Sequence, residues 1–351
     1  MRTDNLAVTL FGAEDLRLVE RPLAPLAPGM VRVRFGAGGI CGSDLHYFRH
    51  GRTGDFRVAE PLVLGHELAG EVVEAADAGS GISAGDRVAV NPSRWCGSCS
   101  YCREGRENLC ENIYFMGSAS KTPHMQGGFA QFVDVTPAQC VRVPASVPFA
   151  AAALAEPLAV ALHAVACAGD IRDRHVAVFG GGPIGLLVMM AARLAGAASV
   201  TVADLAAKPL AFAAELGADR VLDLAARPEE LRAVQAAGGL DVVFEASGAP
   251  AGLASALATV RRGGRLVQVG NLPAGELPVA FNSVMARELT VCGTFRFGRE
   301  YERAVDLIAT GQVDVLRLVT AQLRLDQAPE ALRLALDRSR SVKVMLTPPE
   351  A

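Results

Sequence analysis

Over its first 150 residues the chain alternates short apolar runs with turn residues. LAVTLF, VRVRFG, GEVVEAA, DRVAVNP and FVDVTP lie between clusters of Gly, Pro and Asp, a pattern that predicts short β-strands joined by loops. After Phe149 the texture changes to long Ala- and Leu-rich helical stretches alternating with the apolar strands VAVFGG, SVTVAD, RVLDL, DVVFEASG and GRLVQVGN. Strand and helix in strict alternation imply βαβ units on a parallel sheet. From about Leu289 the pattern shortens again: YERAVDLIATG and QAPEALRLALDRSR read as amphipathic helices before a last strand, VKVMLTP. The expectation is an α/β protein of two domains. A mostly β domain is expected from 1–150 together with 289–351, and a doubly wound parallel-sheet domain from 151–288.

Composition supports two full cores, since 51% of the 351 residues are hydrophobic. A formal net charge of -3 without any basic block argues against a nucleic-acid partner and favours a small molecule. The apolar stretch from Phe149 to Gly169 contains Glu156, Pro157 and His163, which fits a buried helix and not a membrane span. The start MRTDNLAVTL lacks the three-part pattern of a secretory signal, and four of the eight cysteines crowd between 96 and 110, where metal binding explains the spacing better than disulfides. A cytoplasmic, reducing setting is expected.

Three constellations carry chemistry. In the first, Cys96, Cys99, Cys102 and Cys110 fall within fifteen residues separated by small residues, which suits a structural zinc whose four positions are all filled by sulfur. Such an ion staples a loop and leaves no place for substrate. In the second, Cys41-Gly-Ser-Asp-Leu-His46-Tyr47 and Gly65-His66-Glu67 supply a thiolate, an imidazole and a carboxylate, and Glu156 is a further carboxylate in an apolar segment. Singly, each is as readily a core or hydrogen-bonded residue. Together they suit a catalytic zinc with one open position. In the third, the strand VAVF runs into Gly180-Gly181-Gly182-Pro183-Ile184-Gly185 and then a helix. Gly180, Gly182 and Gly185 allow a tight turn, close approach to a pyrophosphate and helix-on-strand packing. The next strand ends in Asp204, nineteen residues after Gly185, where a carboxylate binds the ribose hydroxyls of NAD and repels a 2′-phosphate. Lys208 nearby makes that preference graded, so NADP stays possible.

The order GGICGSDLHYF, LGHELAGEV, the four-cysteine lobe, AEPLAVALHA, VFGGGPIG, FEASG, LVQVG and GTFRF resembles the zinc-dependent medium-chain alcohol and polyol dehydrogenases over nearly the whole chain. AVNPSRWCGSC, GSASKTPHMQGGFAQF and DRSRSVKVML resemble, within that family, the L-idonate 5-dehydrogenases. The resemblance implies a GroES-like catalytic domain and a Rossmann domain with the active site in the cleft between them. It also implies two zinc ions per chain and a dimer or tetramer. Cys41 and His66 match the catalytic zinc ligands, and Glu67 the carboxylate that completes or borders the site. Glu156 stands where the alcohol branch has a third thiolate, Ser43 and His46 at the proton relay, and Asp44 where the imidazole is oriented. Tyr47 and Arg296 match substrate- or nicotinamide-side residues. Met125-Gln126 departs from the family, which often carries an acid before the following glycines. Trp95 has no role in this reading.

The implied reaction is reversible oxidation of a secondary alcohol of a sugar acid, L-idonate to 5-ketogluconate. Sorbitol- or xylitol-type polyols are the rival substrates and threonine-type amino alcohols a distant third. Arg52, Lys121 and Arg296 are the cations that could meet the acid's carboxylate. The contrasting reading is a non-catalytic NAD-binding scaffold or a zinc-free reductase, which would have no use for the set Cys41, His66, Glu67 and Glu156.

Overall fold

The computed structural model describes residues 4–76 and 81–349, so the first three residues of the N-terminal segment lie outside it. The chain forms two compact units. One is drawn from the chain up to Glu156 and from Tyr301 onward, the other is Pro157–Glu300.

The first unit is built around the strand Val31–Gly39 in a seven-stranded sheet. It runs antiparallel to Glu67–Ala75, to Phe132–Val135 and to Lys343–Thr347, with Gly39 opposite both Glu67 and Met345. Its alternate residues Val31, Val33 and Phe35 are buried with Leu68, Val72, Val88, Phe129 and Leu346 in one apolar core. At Gly39 the chain accepts no side chain, because a Cβ would stand 2.0 Å from the carboxylate of Glu67. The strand gives way directly to the helix Gly42–His50, which Cys41 caps at its start and Gly51, with φ 62°, ends in the left-handed conformation.

The second unit is a six-stranded parallel sheet in the order Arg220–Asp223, Ser199–Asp204, His175–Phe179, Leu240–Glu245, Val260–Gln268, Thr290–Gly293. Numbered by sequence this is 3-2-1-4-5-6, the doubly wound arrangement.

The divisions fall later than the expected 150 and 289. The helix Phe149–Ala153 packs on the strands Val31–Gly39 and Glu67–Ala75 and so joins the first unit. Thr290–Gly293 pairs with Val260–Gln268 as the sixth parallel strand, so the second unit runs on to Glu300. At four residues, with the short helix Asn282–Ala286 before it, this strand carries too little periodicity to be told from the small elements that follow. The stretch Phe149–Ala168 is long and apolar enough to cross a membrane, but 72% of its most apolar window is buried inside the fold, as a core helix requires.

Candidate active site

Two segments bring three candidate ligands together in the first unit. Cys41 is the cap of the helix Gly42–His50, while His66 and Glu67 sit where a loop enters the strand Glu67–Ala75. One ligand atom from each of the three lies within 4.8 Å of the others. Asp44 holds this corner together from inside. Its carboxylate is fully buried and accepts the backbone N–H of Cys41 at 3.0 Å and of Gly65 at 3.2 Å, tying the helix to the His66 loop. Its Oδ1 stands 3.9 Å from His66 Nδ1, an ion-pair separation and not yet a hydrogen bond. Phe115 packs on the imidazole with ring centroids 5.4 Å apart.

Glu67 brings a partner that the sequence reading did not include. Lys343, from the strand Lys343–Thr347, reaches into the same interior and donates to Glu67 Oε1 at 2.7 Å and to the Ile40 carbonyl at 2.9 Å. Its Nζ lies 2.6 Å from Oε2 as well, though off the direction a hydrogen bond needs. Both side chains are almost wholly buried, at 3% and 1% accessible. Burial works against the ammonium charge, and Glu67 with Cys41 outweighs it, so the Lys343 pKa is raised. The signal in the sequence was a lysine inside the apolar run VKVML, where a solvated lysine would not be expected.

Glu156 lies in the first turn of the helix Ala155–Ala168 and is 4% accessible. It does not share the 4.8 Å group of Cys41, His66 and Glu67, although it feels the charges of all three and of Lys343. Burial pushes its carboxyl up to about 8, and burial likewise pushes the Cys41 thiol to about 11 against the Ser43 amide and Lys343. Cys41 as a residue is only half-buried, but its sulfur is desolvated. Among the described residues His66 Nδ1 and Glu67 Oε2 are buried without a hydrogen-bond partner, Oε2 having only the ion pair with Lys343. Orphaned polar atoms beside a thiol and a carboxyl that burial keeps protonated fit a divalent cation, whose charge would draw off those protons. The donor set, one sulfur, one imidazole and carboxylates, is the one zinc takes where an open position is kept.

Ser43 is half-buried and His46 exposed on the same helix. Partial desolvation, then the neighbouring His50 and Arg338, lower the His46 pKa, which leaves a neutral imidazole able to accept a proton. Tyr47 is buried, and its hydroxyl accepts the Ala119 N–H at 3.0 Å, so it fixes the segment around 118–125. Gln126 accepts the Val63 N–H at 2.8 Å and donates to the Pro61 carbonyl. Arg52 is occupied in its own hairpin, donating to the Gly54 carbonyl at 2.7 Å and pairing with Asp55, while Lys121 is exposed.

The four lobe cysteines also gather within 4.8 Å. Cys96 receives N–H groups from Ser98 at 3.5 Å and Cys99 at 3.4 Å, and these, with the Ser98 hydroxyl, hold its thiol at about 5. Desolvation and the adjoining thiols push Cys102 to about 12. A Cys96 sulfur poised as thiolate within a group of four sulfurs is a cluster suited to a tetrahedral ion.

In the second unit, Gly180 has φ 101° and turns the chain out of the strand His175–Phe179. A Cβ at Gly185 would lie 1.8 Å from the Gly180 carbonyl oxygen, so the helix Pro183–Leu194 packs closely on the turn, whereas a Cβ at Gly182 would meet nothing within 4 Å. That open space before a helix N-terminus, with Pro183 and Ile184 in the first turn, fits a pyrophosphate. Asp204 Oδ2 accepts the Gly181 N–H at 2.6 Å and Oδ1 the Ala206 N–H, which aims the carboxylate from the end of the strand Ser199–Asp204. Arg296, half-buried with φ 54°, stands on the loop after Thr290–Gly293 with its guanidinium 4.8 Å over the Phe295 ring.

Comparison with known proteins matches the alcohol dehydrogenase GroES-like domain to residues 27–145 and the zinc-binding dehydrogenase domain to residues 183–310. The chain belongs to the zinc-dependent medium-chain dehydrogenase family, in its polyol and sugar-acid group, and is an oxidoreductase of the alcohol dehydrogenase class. It is 39% identical to L-idonate 5-dehydrogenase (NAD(P)(+)) of Escherichia coli K12 over 90% of both chains. It is 35% identical to sorbitol dehydrogenase of Bacillus subtilis 168 over 97% of both. The crystal structure of L-idonate 5-dehydrogenase from Escherichia coli superposes with a TM-score of 0.93 at 36% identity, covering 99% of each chain.

Proposed function

We propose that the protein oxidises L-idonate reversibly at C5 to 5-ketogluconate with NAD, in the cytoplasm and as a dimer or tetramer, with a catalytic and a structural zinc in each chain. The convergence of Cys41, His66 and Glu67 within 4.8 Å, beside the buried Glu156, is the observation that carries the chemistry. The sugar-acid substrate rests on the segments AVNPSRWCGSC, GSASKTPHMQGGFAQF and DRSRSVKVML, with the idonate relative at 39% identity alongside it.

Cys41 and His66 hold the catalytic ion, with a carboxylate from Glu67 or Glu156, and Cys96, Cys99, Cys102 and Cys110 hold the structural one. When bound, the catalytic zinc supplies Lewis acidity at the substrate hydroxyl, and the nicotinamide supplies the hydride acceptor. Ser43 receives the hydroxyl proton and passes it toward His46, whose lowered pKa keeps its ring ready to accept it and whose exposure lets it go to water. Glu156, buried beside the cluster, is the second route, a carboxylate able to take the proton once the cation has drawn off its own. An unchanged pH–rate profile in His46→Gln together with loss of turnover in Glu156→Gln would select that route. Arg296 and Tyr47 act on the substrate side, Tyr47 by fixing the Ala119 segment. Gly180, Gly182, Pro183, Ile184 and Gly185 cradle the pyrophosphate, and Asp204 holds the ribose.

Steady-state kinetics with NAD on L-idonate, sorbitol, xylitol and L-threonine test the substrate. L-Idonate is expected to lead in kcat/KM. A neutral polyol preferred by tenfold or more, about 1.4 kcal/mol of transition-state binding, would overturn the sugar-acid reading and leave the dehydrogenase class intact. For the cofactor, Asp204→Ala is expected to narrow the preference for NAD over NADP by about tenfold through loss of like-charge repulsion. Equal use of both cofactors by the unaltered protein would contradict it.

A further inference from the structure

The helix Ala155–Ala168 ends in a second cluster of titratable and nucleophilic groups, inside the nucleotide-binding unit and separate from the metal ligands. His163 and Cys167 are one turn apart and share a helix face. His163 Nδ1 lies 2.9 Å from Glu300 Oε1, and its Nε2 lies 3.7 Å from Cys167 Sγ. The other Glu300 oxygen accepts the Gly298 N–H at 2.7 Å, which fixes the direction of the acid. Glu300, His163 and Cys167 therefore stand in series, an acid orienting an imidazole that meets a thiol, the order of groups that activates cysteine nucleophiles.

The surroundings sharpen this. Arg265 donates to the carbonyls of Cys167 at 3.1 Å and Ala168 at 2.8 Å, and Cys292 Sγ lies 3.7 Å from the Cys167 carbonyl oxygen. A sulfur in the last helical turn faces the negative end of the helix dipole, which opposes a thiolate. The His163 hydrogen bond prevails, holding the Cys167 pKa below the ordinary thiol value, while Cys167 and then Glu300 raise His163 to about 9. Burial, by contrast, pushes Cys140 up to about 12 and Cys292 upward as well. His163 and Glu300 keep 18% and 20% of their side-chain surface and Cys167 is half-buried, so the cluster is not sealed in the core.

We propose that Cys167 is a modification site, a thiolate paired with an imidazolium that small hydroperoxides oxidise to a sulfenic acid. The thiolate attacks one peroxide oxygen, and an S–O bond forms as the O–O bond breaks. Sulfur loses two electrons to the peroxide, and the leaving hydroxide takes the Nε2 proton of His163 to become water. Sulfenic acid and neutral imidazole remain. The site does not depend on which alcohol the enzyme oxidises.

The test uses the zinc-loaded protein. One sample is treated with hydrogen peroxide and a 1,3-dione that traps sulfenic acid, another with iodoacetamide at pH 7, and the modified residues are mapped by mass spectrometry. Cys167 is expected to gain the dione adduct and to alkylate at least about tenfold faster than Cys140 and Cys292. His163→Gln is expected to slow it about tenfold with zinc content and circular dichroism unchanged, and Glu300→Gln to slow it less. Cys167 reacting no faster than Cys140 in the folded protein, or at the same rate in His163→Gln, would overturn the proposal. Should His163→Gln fail to fold, the comparison of Cys167 with Cys140 in the unaltered protein decides the matter alone.

Discussion

The two candidate metal-ligand clusters of the first unit are built in opposite ways. The cysteine lobe takes four ligands from one stretch of fifteen residues near the surface, and backbone N–H groups from its own turns prepare the Cys96 thiolate. The other cluster takes its groups from residues 41, 66 and 67, keeps them in the interior, and lets burial hold Cys41, and the Glu156 beside it, in their protonated forms. Its compensating charge, Lys343, comes from a further segment 276 residues beyond Glu67. A local cluster can form wherever its loop forms. A cluster of distant groups exists only when the whole unit has folded, and it can hold charges in an interior where each makes a large difference.

The sharpest way to separate the two is to remove one ligand from the buried cluster. Cys41→Ser is expected to lower kcat/KM by about a thousandfold or more, the scale of losing Lewis-acid stabilisation, and to leave one zinc per chain on metal analysis. Two zinc ions in this variant with full turnover would erase the distinction between the clusters.

Next in size is Lys343→Met, which leaves the Glu67 carboxylate buried and unpaired. Loss of one member of a buried pair costs about 3–5 kcal/mol, to be read as a lower denaturation midpoint. Adding Glu67→Gln is expected to restore part of that loss. A single variant as stable as the parent would mean that Lys343 is not the counter-charge.

Glu156 gives a pH test in metal-stripped protein. Its folded pKa of about 8 exceeds the ordinary carboxyl value of 4.5, so the native state binds the extra proton. The stability tied to that proton is complete below about pH 4.5 and fades as pH rises through 8. The folded protein should lose on the order of a few kcal/mol across this window, and Glu156→Gln should flatten the slope. Denaturant titrations at several pH values measure it, and an equal slope in both proteins would discard the assignment.

The smallest effect on turnover is expected from the lobe. Cys99→Ser should release one zinc and lower the thermal midpoint by several degrees, while kcat per folded molecule stays within about twofold, because that ion meets no substrate. A collapse of kcat with the fold intact would give the lobe a share in the chemistry.

Local patterns were the legible ones. The four cysteines, the turn Gly180–Gly185 with Asp204, and the strands around Val31–Gly39 announce themselves through spacing and periodicity, which survive without knowledge of neighbours in space. Lys343 did not, because its meaning lies in a residue far away in sequence, and only its apolar neighbours hinted at burial. The later end of the parallel sheet was hidden for a related reason. Thr290–Gly293 is too short to show a period, and its membership is decided by pairing with Val260–Gln268. The Tyr47 contact was hidden in the same way, since the Ala119 amide that engages its hydroxyl is also distant in sequence.

The discontinuity of the first unit governs the order in which the molecule can be assembled on the ribosome. Residues 157–300 form a continuous unit whose parallel strands can all pair before anything beyond them has been made. The strand Val31–Gly39, although synthesised much earlier, waits for Lys343–Thr347 to occupy the edge beside Gly38 and Gly39. Until then that edge offers unsatisfied backbone groups to any passing chain, a window for misassembly. A metal held at Cys41 and His66 would therefore be captured late, after the arrival of the segment that carries the balancing lysine, and the unit that emerges first would not be the unit that matures first.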